Sequence, residues 1–120
     1  MSHDDCLFCK IAAGKIPSHK VYEDNEFYAF HDIRPAAPVH VLVIPRQHIE
    51  TLSACGPQEA PLLGRMMTLL PQLAAQLGVG YTGDDTGFRT VINTGPGGGQ
   101  EVYHLHAHIL GGPGPWSRMG

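Results

Sequence analysis

The sequence predicts an α+β domain, in which a mostly antiparallel sheet is accompanied by one long and one short helix. Three observations support this fold class. Residues 39–44 form a β-branched and apolar run bounded by prolines, which is typical of a central strand. Apolar residues recur at helical spacing within residues 53–78. Helices are interspersed with strands that short turns join, which favours hairpins and an antiparallel sheet.

The first elements are a short helix and a hairpin. Apolar residues recur every three to four positions in residues 6–13, and Gly14 follows where a left-handed residue commonly ends a helix. The strand-like segments 20–23 and 26–32 flank turn residues at 24–25. The sequence therefore predicts a short helix, a hairpin and then the central strand.

The second half of the chain contains the long helix and two further strands. The helix falls within residues 53–78, where Pro71 removes a backbone donor and predicts a kink or a break. Residues 88–93 and 102–110 are strand-like, and a loop with four glycines in five residues, 95–99, lies between them.

Composition limits the function classes. The 120 residues fit one domain, 1–120, and 42% of them are hydrophobic, enough to fill a core without disulfides. A net charge of −3 with no basic run argues against nucleic-acid binding. No apolar stretch is long enough to cross a membrane and the first residues are acidic, so we expect a cytoplasmic protein without membrane attachment.

Cysteines and histidines are the chemically informative residues. An odd number of cysteines, Cys6, Cys9 and Cys55, makes a disulfide framework improbable in a reducing compartment. By themselves Cys6 and Cys9 form one CxxC pair, which fits a redox pair, half of a metal site, or two core thiols.

The densest signal is an alternation of histidines, His104, His106 and His108. On a strand these side chains share one face, which predicts a functional cluster. Because the outer two would lie about 13 Å apart, a single three-histidine metal site is disfavoured. Imidazoles here suit nucleophilic or acid–base work, and the glycine loop can bring backbone amides close to a phosphate.

These residues resemble a known family. Residues 104–110, His-Leu-His-Ala-His-Ile-Leu, are similar to the alternating signature of the histidine-triad (HIT) proteins. Residues 6–17 resemble the amino-terminal helix of the nucleotide-binding (Hint) branch, and residues 30–35 and 37–45 resemble its sheet. The resemblance implies a HIT-like fold.

It also implies an activity, the hydrolysis of purine nucleoside 5′-phosphoramidates or acyl-nucleotides to the nucleoside monophosphate through a nucleotidyl-histidine. The catalytic residues implied are His106 as nucleophile, His108 at the phosphate and leaving group, and His40 in support. Three alternative functions remain open: a dinucleoside polyphosphate hydrolase or nucleotidyl transferase, a nucleotide-binding regulatory protein with little turnover, and a metal-dependent oxygenase with histidine ligands.

Nucleotide contacts are implied for a further set of residues. Asp32 would accept the ribose hydroxyls, and His31 would touch the ribose edge or merely cap the hairpin. The base pocket would comprise Phe8, Ile11, Phe30, Ile33 and Leu42, although these apolar residues by themselves favour plain core over a pocket. The phosphate would contact His106, His108, Asn93 and the backbone of Gly99, Gln100, Glu101 and Val102. Glu101 departs from the serine expected in the eukaryotic branch, which leaves its role open.

A structural zinc ion and a dimer complete what the resemblance implies. Two histidines can complete a tetrahedral site with the CxxC pair, and the resemblance selects His48 and the first histidine of the triad. The implied zinc ligands are Cys6, Cys9, His48 and His104. The family is usually a homodimer, and its tail, here with Trp116, reaches toward the partner subunit's active site.

Overall fold

A five-stranded sheet forms the centre of the molecule, and all its neighbouring strands are antiparallel. The structure, a computed structural model, describes residues 5–113, so Trp116 lies outside the described residues. The strands are β1 (Lys20–Glu23), β2 (Phe27–His31), β3 (Val39–Pro45), β4 (Phe88–Val91) and β5 (Ala107–Gly111). They lie side by side in the order β1-β2-β3-β5-β4.

Two helices accompany the sheet, α1 (Leu7–Ala12) and α2 (Ala60–Gln76). Short 3₁₀ turns at Leu52–Ala54, Pro57–Glu59 and Pro96–Gly98 complete the elements. Gly78 has a φ of 79° and ends the long helix, as predicted. Within residues 5–113 no helix is long and apolar enough to cross a bilayer. The predicted α+β class with an antiparallel sheet, one long and one short helix is confirmed.

The helices cover opposite faces of the sheet. Val41, Val43 and Ile109 pack with α2 in one core cluster. Leu42 and Ile44 pack with α1 in a second cluster. Because side chains alternate along a strand, the odd-numbered residues of β3 and β5 face α2 and the even-numbered ones face α1. This parity decides on which side of the sheet each histidine lies.

The long helix continues through its proline. The sequence predicted a kink or a break at Pro71, and the break is wrong because α2 is continuous over Ala60–Gln76. Pro71 lies on the exposed side of the helix, and Met67, whose carbonyl loses its donor, is 40% exposed. Water can satisfy that carbonyl, so the proline is tolerated.

The last strand is shorter than predicted. β5 begins at Ala107 and not at residue 102, so His108 alone of the three alternating histidines lies in a strand. The ladder with β3 ends where Val43 faces Ala107. Beyond this pair Pro45 has no amide to donate, and its carbonyl accepts a hydrogen bond from Nε2 of His104 at 2.7 Å. An imidazole therefore takes the place of a ladder bond, and strand alternation does not orient His104.

Residue 111 has no room for a side chain. A Cβ on Gly111 would lie 2.7 Å from Cβ of Val79, which is 6% exposed and part of the α2-side core. We therefore expect Gly111→Ala to lower the free energy of unfolding by about 1–3 kcal/mol in urea titrations. The control is Gly64→Ala in α2, where an added Cβ would meet nothing within 4 Å outside the backbone of its own helix. Alanine there should stabilise the helix by up to about 1 kcal/mol. Equal stabilities of the two variants would contradict the close packing.

Candidate active site

Three imidazoles meet on the α1 side of the sheet. His40 lies on β3 and His108 on β5, both at even-numbered positions, and His106 lies just before β5. The ring centroids of His40 and His108 are 5.1 Å apart, and those of His106 and His108 are 5.0 Å apart. His40 and His106 are each 7% exposed. The structure therefore brings together the three residues that the sequence analysis named as catalytic.

A chain of hydrogen bonds assigns the protons of His40 and His108. The backbone amide of Ala36 donates to Nδ1 of His40 at 3.0 Å, so neutral His40 carries its proton on Nε2. That Nε2 lies 2.8 Å from Nδ1 of His108, to which it donates. His108 therefore carries its own proton on Nε2. This atom is buried and has no hydrogen-bond partner among the described residues.

His106 has the opposite tautomer. Its Nδ1 lies 2.7 Å from the backbone carbonyl of His104, which can only accept, so Nδ1 carries the proton. The other nitrogen, Nε2, keeps its lone pair. Two adjacent rings thus offer a lone pair from His106 and an N–H from His108.

Burial keeps these imidazoles neutral. Burial lowers the pKa of His106, against the weaker opposing effects of its hydrogen bond to the His104 carbonyl and then of the Asp32 carboxylate. Burial also lowers the pKa of His40, against a weaker opposing effect of Asp32. Burial, together with the neighbouring His106 and His40, lowers the pKa of His108 to about 4. At neutral pH the group therefore carries an uncharged nucleophilic nitrogen and an uncharged donor.

A second group, the metal centre, consists of Cys6, Cys9, His48 and His104. One ligand atom from each lies within 4.8 Å of the other three. Nδ1 of His104 is 3.2 Å from Sγ of Cys6 and 3.4 Å from Sγ of Cys9, whose sulfur is also 3.4 Å from Nδ1 of His48. The four residues that the resemblance implied as ligands are thus brought together.

The geometry of this centre fits a tetrahedral ion. Around zinc with thiolate and imidazole ligands, sulfur and nitrogen lie about 3.5 Å apart, close to the separations found here. Nε2 of His104 donates to the Pro45 carbonyl, which leaves Nδ1 free of a proton and oriented toward the thiols. Burial and then Cys6 raise the pKa of the Cys9 thiol to about 12. A bound cation would supply the charge that deprotonation needs.

Asp32 lies at the edge of the cluster formed by the rings of His40, His106 and His108. Its Oδ2 is 3.5 Å from Nε2 of His40, and its Oδ1 accepts from the Arg34 amide at 2.8 Å. Asp32, His40 and His108 can together face one ion. Here, however, the two histidine nitrogens share a proton, which favours a relay over a pair of ligands. His31 ends β2 and is exposed.

The residues implied for a base pocket fall into two sets. Phe8, Ile11, Phe30 and Leu42 are buried together in the α1-side cluster, against which Val102 also packs. Ile33, in contrast, is 85% exposed. The first four serve as core whatever else they contact, and Ile33 is an apolar side chain open to a ligand.

The glycine loop is held by a buried amide side chain. Oε1 of Gln100 accepts from the Gly95 amide at 2.9 Å, and Nε2 donates to the carbonyls of Glu50 and Val102 at 2.8 and 3.1 Å. The sequence predicted a phosphate contact for the Gln100 backbone and did not reveal this role of its side chain, for which a polar residue directly after the glycines was the available signal.

Two amides expected at the phosphate already have acceptors. The Gly99 amide donates to the Pro96 carbonyl at 3.1 Å, and the Gln100 amide donates to the Gly95 carbonyl at 3.0 Å. Gly95 and Gly99 have φ values of 72° and 85°, which favour glycine. Glu101 is exposed, and Asn93 and Val102 are half-buried.

Comparison with known proteins identifies the class. The sequence model of the HIT domain matches residues 13–114. Protein HitA of Neisseria gonorrhoeae is 53% identical over 110 residues, covering 92% of this chain and 98% of that protein. The purine nucleoside phosphoramidase of Escherichia coli is 42% identical over 109 residues, covering 91% and 88%. This chain belongs to the HIT domain family.

Solved structures agree with this assignment. A histidine triad protein from Clostridium difficile superposes with a TM-score of 0.88 at 43% identity, covering 99% of this chain and 100% of that one. A Zn-bound histidine triad family protein from Mycobacterium smegmatis superposes with a TM-score of 0.73 at 30% identity, covering 92% and 76%. The family relatives include hydrolases, one of them from Legionella pneumophila.

Proposed function

We propose that the protein hydrolyses purine nucleoside 5′-phosphoramidates or acyl-nucleotides to the nucleoside monophosphate through a nucleotidyl-histidine at His106. The observation that carries this proposal is the opposite protonation of two neighbouring rings, with a lone pair on Nε2 of His106 and an N–H on Nε2 of His108. A displacement at phosphorus needs both a nucleophile and a proton for the leaving group. The phosphoramidase relative supports this choice of substrate.

The first step forms the covalent intermediate. The lone pair of His106 attacks the α-phosphorus, the bond from phosphorus to the leaving nitrogen breaks, and that nitrogen takes the Nε2 proton of His108. The Nε2–H of His40 keeps its hydrogen bond to Nδ1 of His108 throughout, and the negative charge left on His108 is balanced by the positive charge of the phosphorylated His106 ring beside it. Splitting one displacement into two steps lowers the barrier of each.

The second step releases the product. Water attacks phosphorus, the bond to Nε2 of His106 breaks, and the water proton returns to Nε2 of His108. The starting tautomers are thereby restored. The amides of Glu101 and Val102, which have no acceptor within residues 5–113, are assigned to the phosphate together with Asn93, because those of Gly99 and Gln100 donate within the loop. Asp32 is assigned to the ribose hydroxyls, and the apolar side chains of Phe8 and Ile33 are assigned to the base.

His40 acts through His108 in this scheme. We expect His40→Leu to lower kcat for adenosine 5′-phosphoramidate by about 100-fold, because His108 loses the donor that fixes its tautomer. KM should change less than kcat, and steady-state kinetics will measure the two effects separately. The matched control is His19→Leu, the same substitution at an exposed position, which should leave kcat unchanged. An active His40→Leu enzyme would remove His40 from the scheme.

Zinc is the ion proposed for the metal centre. Two thiols and two imidazoles suit Zn²⁺, and a Zn-bound structure exists within the family. With four protein ligands the ion would be structural, tying α1 to the segment before β5. No step of the reaction passes through it.

We propose that the protein forms a homodimer through one edge of its sheet. β4 is one of the two edge strands, and beside it Tyr81 is 70% exposed and lines a groove of about 380 Å³ together with Phe88 and Pro71. A second copy would cover these apolar groups and extend the sheet. A monomer mass by light scattering at micromolar concentration would contradict the dimer.

A substrate comparison tests the proposed function. Purified protein is given adenosine 5′-phosphoramidate, diadenosine tetraphosphate, or AMP alone, and product release and binding are measured. We expect the phosphoramidate to be hydrolysed with the highest kcat/KM. Preference for the dinucleotide would favour a dinucleoside polyphosphate hydrolase, and tight AMP binding without turnover of either compound would favour a regulatory protein.

A further inference from the structure

The metal centre and the nucleophile share one residue, His104. We propose that His104 is a positioning residue through which the metal centre holds His106 in its attacking geometry. This inference rests on the proposed function for the role of His106. It goes beyond a structural ion, because it makes the order of the nucleophile depend on metal occupancy.

The contacts of His104 connect the two groups directly. Its Nδ1 faces Sγ of Cys6 and of Cys9, and its Nε2 donates to the Pro45 carbonyl. Its backbone carbonyl accepts the Nδ1 proton of His106 at 2.7 Å. The residue is 0% exposed. A shift of the His104 ring would therefore also shift the carbonyl that fixes the tautomer and orientation of His106.

The sheet does not hold this segment. β5 begins at Ala107, so residues 101–106 are outside the antiparallel ladder. Within the segment, the Leu105 amide donates to the Ile49 carbonyl and the Val102 carbonyl accepts from Gln100. The Leu105 side chain is buried in the α2-side core, and the His104 side chain holds the other side of the segment through the Pro45 carbonyl and its contacts with the two thiols. The metal centre thus holds the α1 side of the part of the chain that lies outside the sheet.

Phe8 provides a second connection. It lies in α1 between the two cysteines and is 4% exposed. Its ring meets the ring of His106 edge-on, with centroids 5.1 Å apart, and the ring of His104 at 6.1 Å. Because Cys6 and Cys9 bind α1 to the metal centre, the ion also fixes the wall against which the nucleophile packs.

Removal of the ion should therefore loosen His106 more than it weakens nucleotide binding. The test compares zinc-loaded protein, protein stripped by a chelator, and stripped protein reloaded with zinc. We expect hydrogen exchange of residues 101–106 to be about tenfold faster in the stripped protein, with little change in β2 and β3. We expect kcat to fall about 10- to 100-fold, while KM stays within about twofold of its value in the zinc-loaded protein. Reloading with zinc should restore both kcat and the slower hydrogen exchange.

Two variants separate positioning from general stability. His48→Gln removes one ligand while it leaves the thiols, Phe8 and His104 in place, and it should behave as the stripped protein does. If removal of zinc by the chelator unfolds the wild-type protein, the same measurements on His48→Gln replace that comparison. Gly111→Ala weakens the opposite core without contact with the metal centre, and it should retain wild-type kcat below its unfolding temperature.

The outcomes distinguish this inference from the proposed function. Unchanged exchange at 101–106 and unchanged kcat in stripped protein would overturn the positioning role while the proposed function stands. No turnover by zinc-loaded wild type would overturn the proposed function, and the exchange comparison would still show whether the ion orders the segment. A uniform increase of exchange throughout the sheet would also overturn the inference, since it would mean general destabilisation.

Discussion

His106→Ala is expected to lower kcat for adenosine 5′-phosphoramidate by at least about 10⁴-fold. The substitution removes the lone pair that attacks phosphorus, and the remaining donors can only assist a direct attack by water. Loss of the nucleophile should therefore exceed the loss expected for any neighbouring residue. Monophosphate release under saturating substrate measures the effect.

Two controls accompany this substitution. Because His106 lies outside the sheet ladder, the variant should fold and still bind AMP, which calorimetry can verify. In His106→Gly, added imidazole should restore part of the activity by occupying the vacated space. An alanine variant with more than a few per cent of wild-type kcat would show that water attacks directly and that no covalent step is needed.

Cys9→Ser is expected to abolish stoichiometric zinc binding and to lower Tm by about 10 °C. A ligand present at 100 times its Kd stabilises a protein by about 2.7 kcal/mol, and in a domain of this size 1 kcal/mol corresponds to about 4 °C. The thiol faces both imidazoles of the metal centre, so a hydroxyl there leaves the site with weaker donors. Metal analysis and calorimetric scans give the two quantities.

Cys55→Ser is the matched control for this change. Cys55 is half-buried near Thr51, outside the metal centre, and the same substitution there should leave both zinc content and Tm near wild type. If protein purified without added metal contains no zinc, or if Cys9→Ser melts with the wild type, the assignment of a zinc site is wrong.

Local patterns were sufficient to predict most of the fold. The β-branched run at 39–44 gave the central strand, and its burial on both faces agrees with its continuous apolar character. Gly14 and Gly78 follow the two helices with positive φ, as their positions suggested. The grouping of Cys6 with His104 across 98 residues followed from family resemblance and not from any local pattern.

The departures have local physical causes that a pattern cannot show. Alternation predicted a strand through His104, but Pro45 on the facing strand lacks an amide and bonds the imidazole instead. Pro71 suggested a break, which its exposed position makes unnecessary. Both outcomes depend on what lies opposite the residue, which the linear sequence does not contain.

The chemistry of the imidazoles was also beyond the sequence. Three alternating histidines indicated a functional cluster, but their protonation depends on the Ala36 amide, the His40 ring and the His104 carbonyl. Likewise the sequence predicted a phosphate contact for the Gln100 backbone but not the hydrogen bonds by which its buried side chain holds the glycine loop. Each of these partners is a specific contact that only the folded chain defines.

Covalent catalysis at His106 is tested most directly by the mass of the trapped intermediate. Protein mixed with adenosine 5′-phosphoramidate is quenched within the first turnover, and intact mass and peptide mapping are recorded beside His106→Ala. The expected result is one adenylyl group per active site, labile to acid and located on the peptide that contains His106. Burst-free turnover with no adduct, or an adduct that persists in His106→Ala, would contradict a nucleotidyl-histidine at this residue.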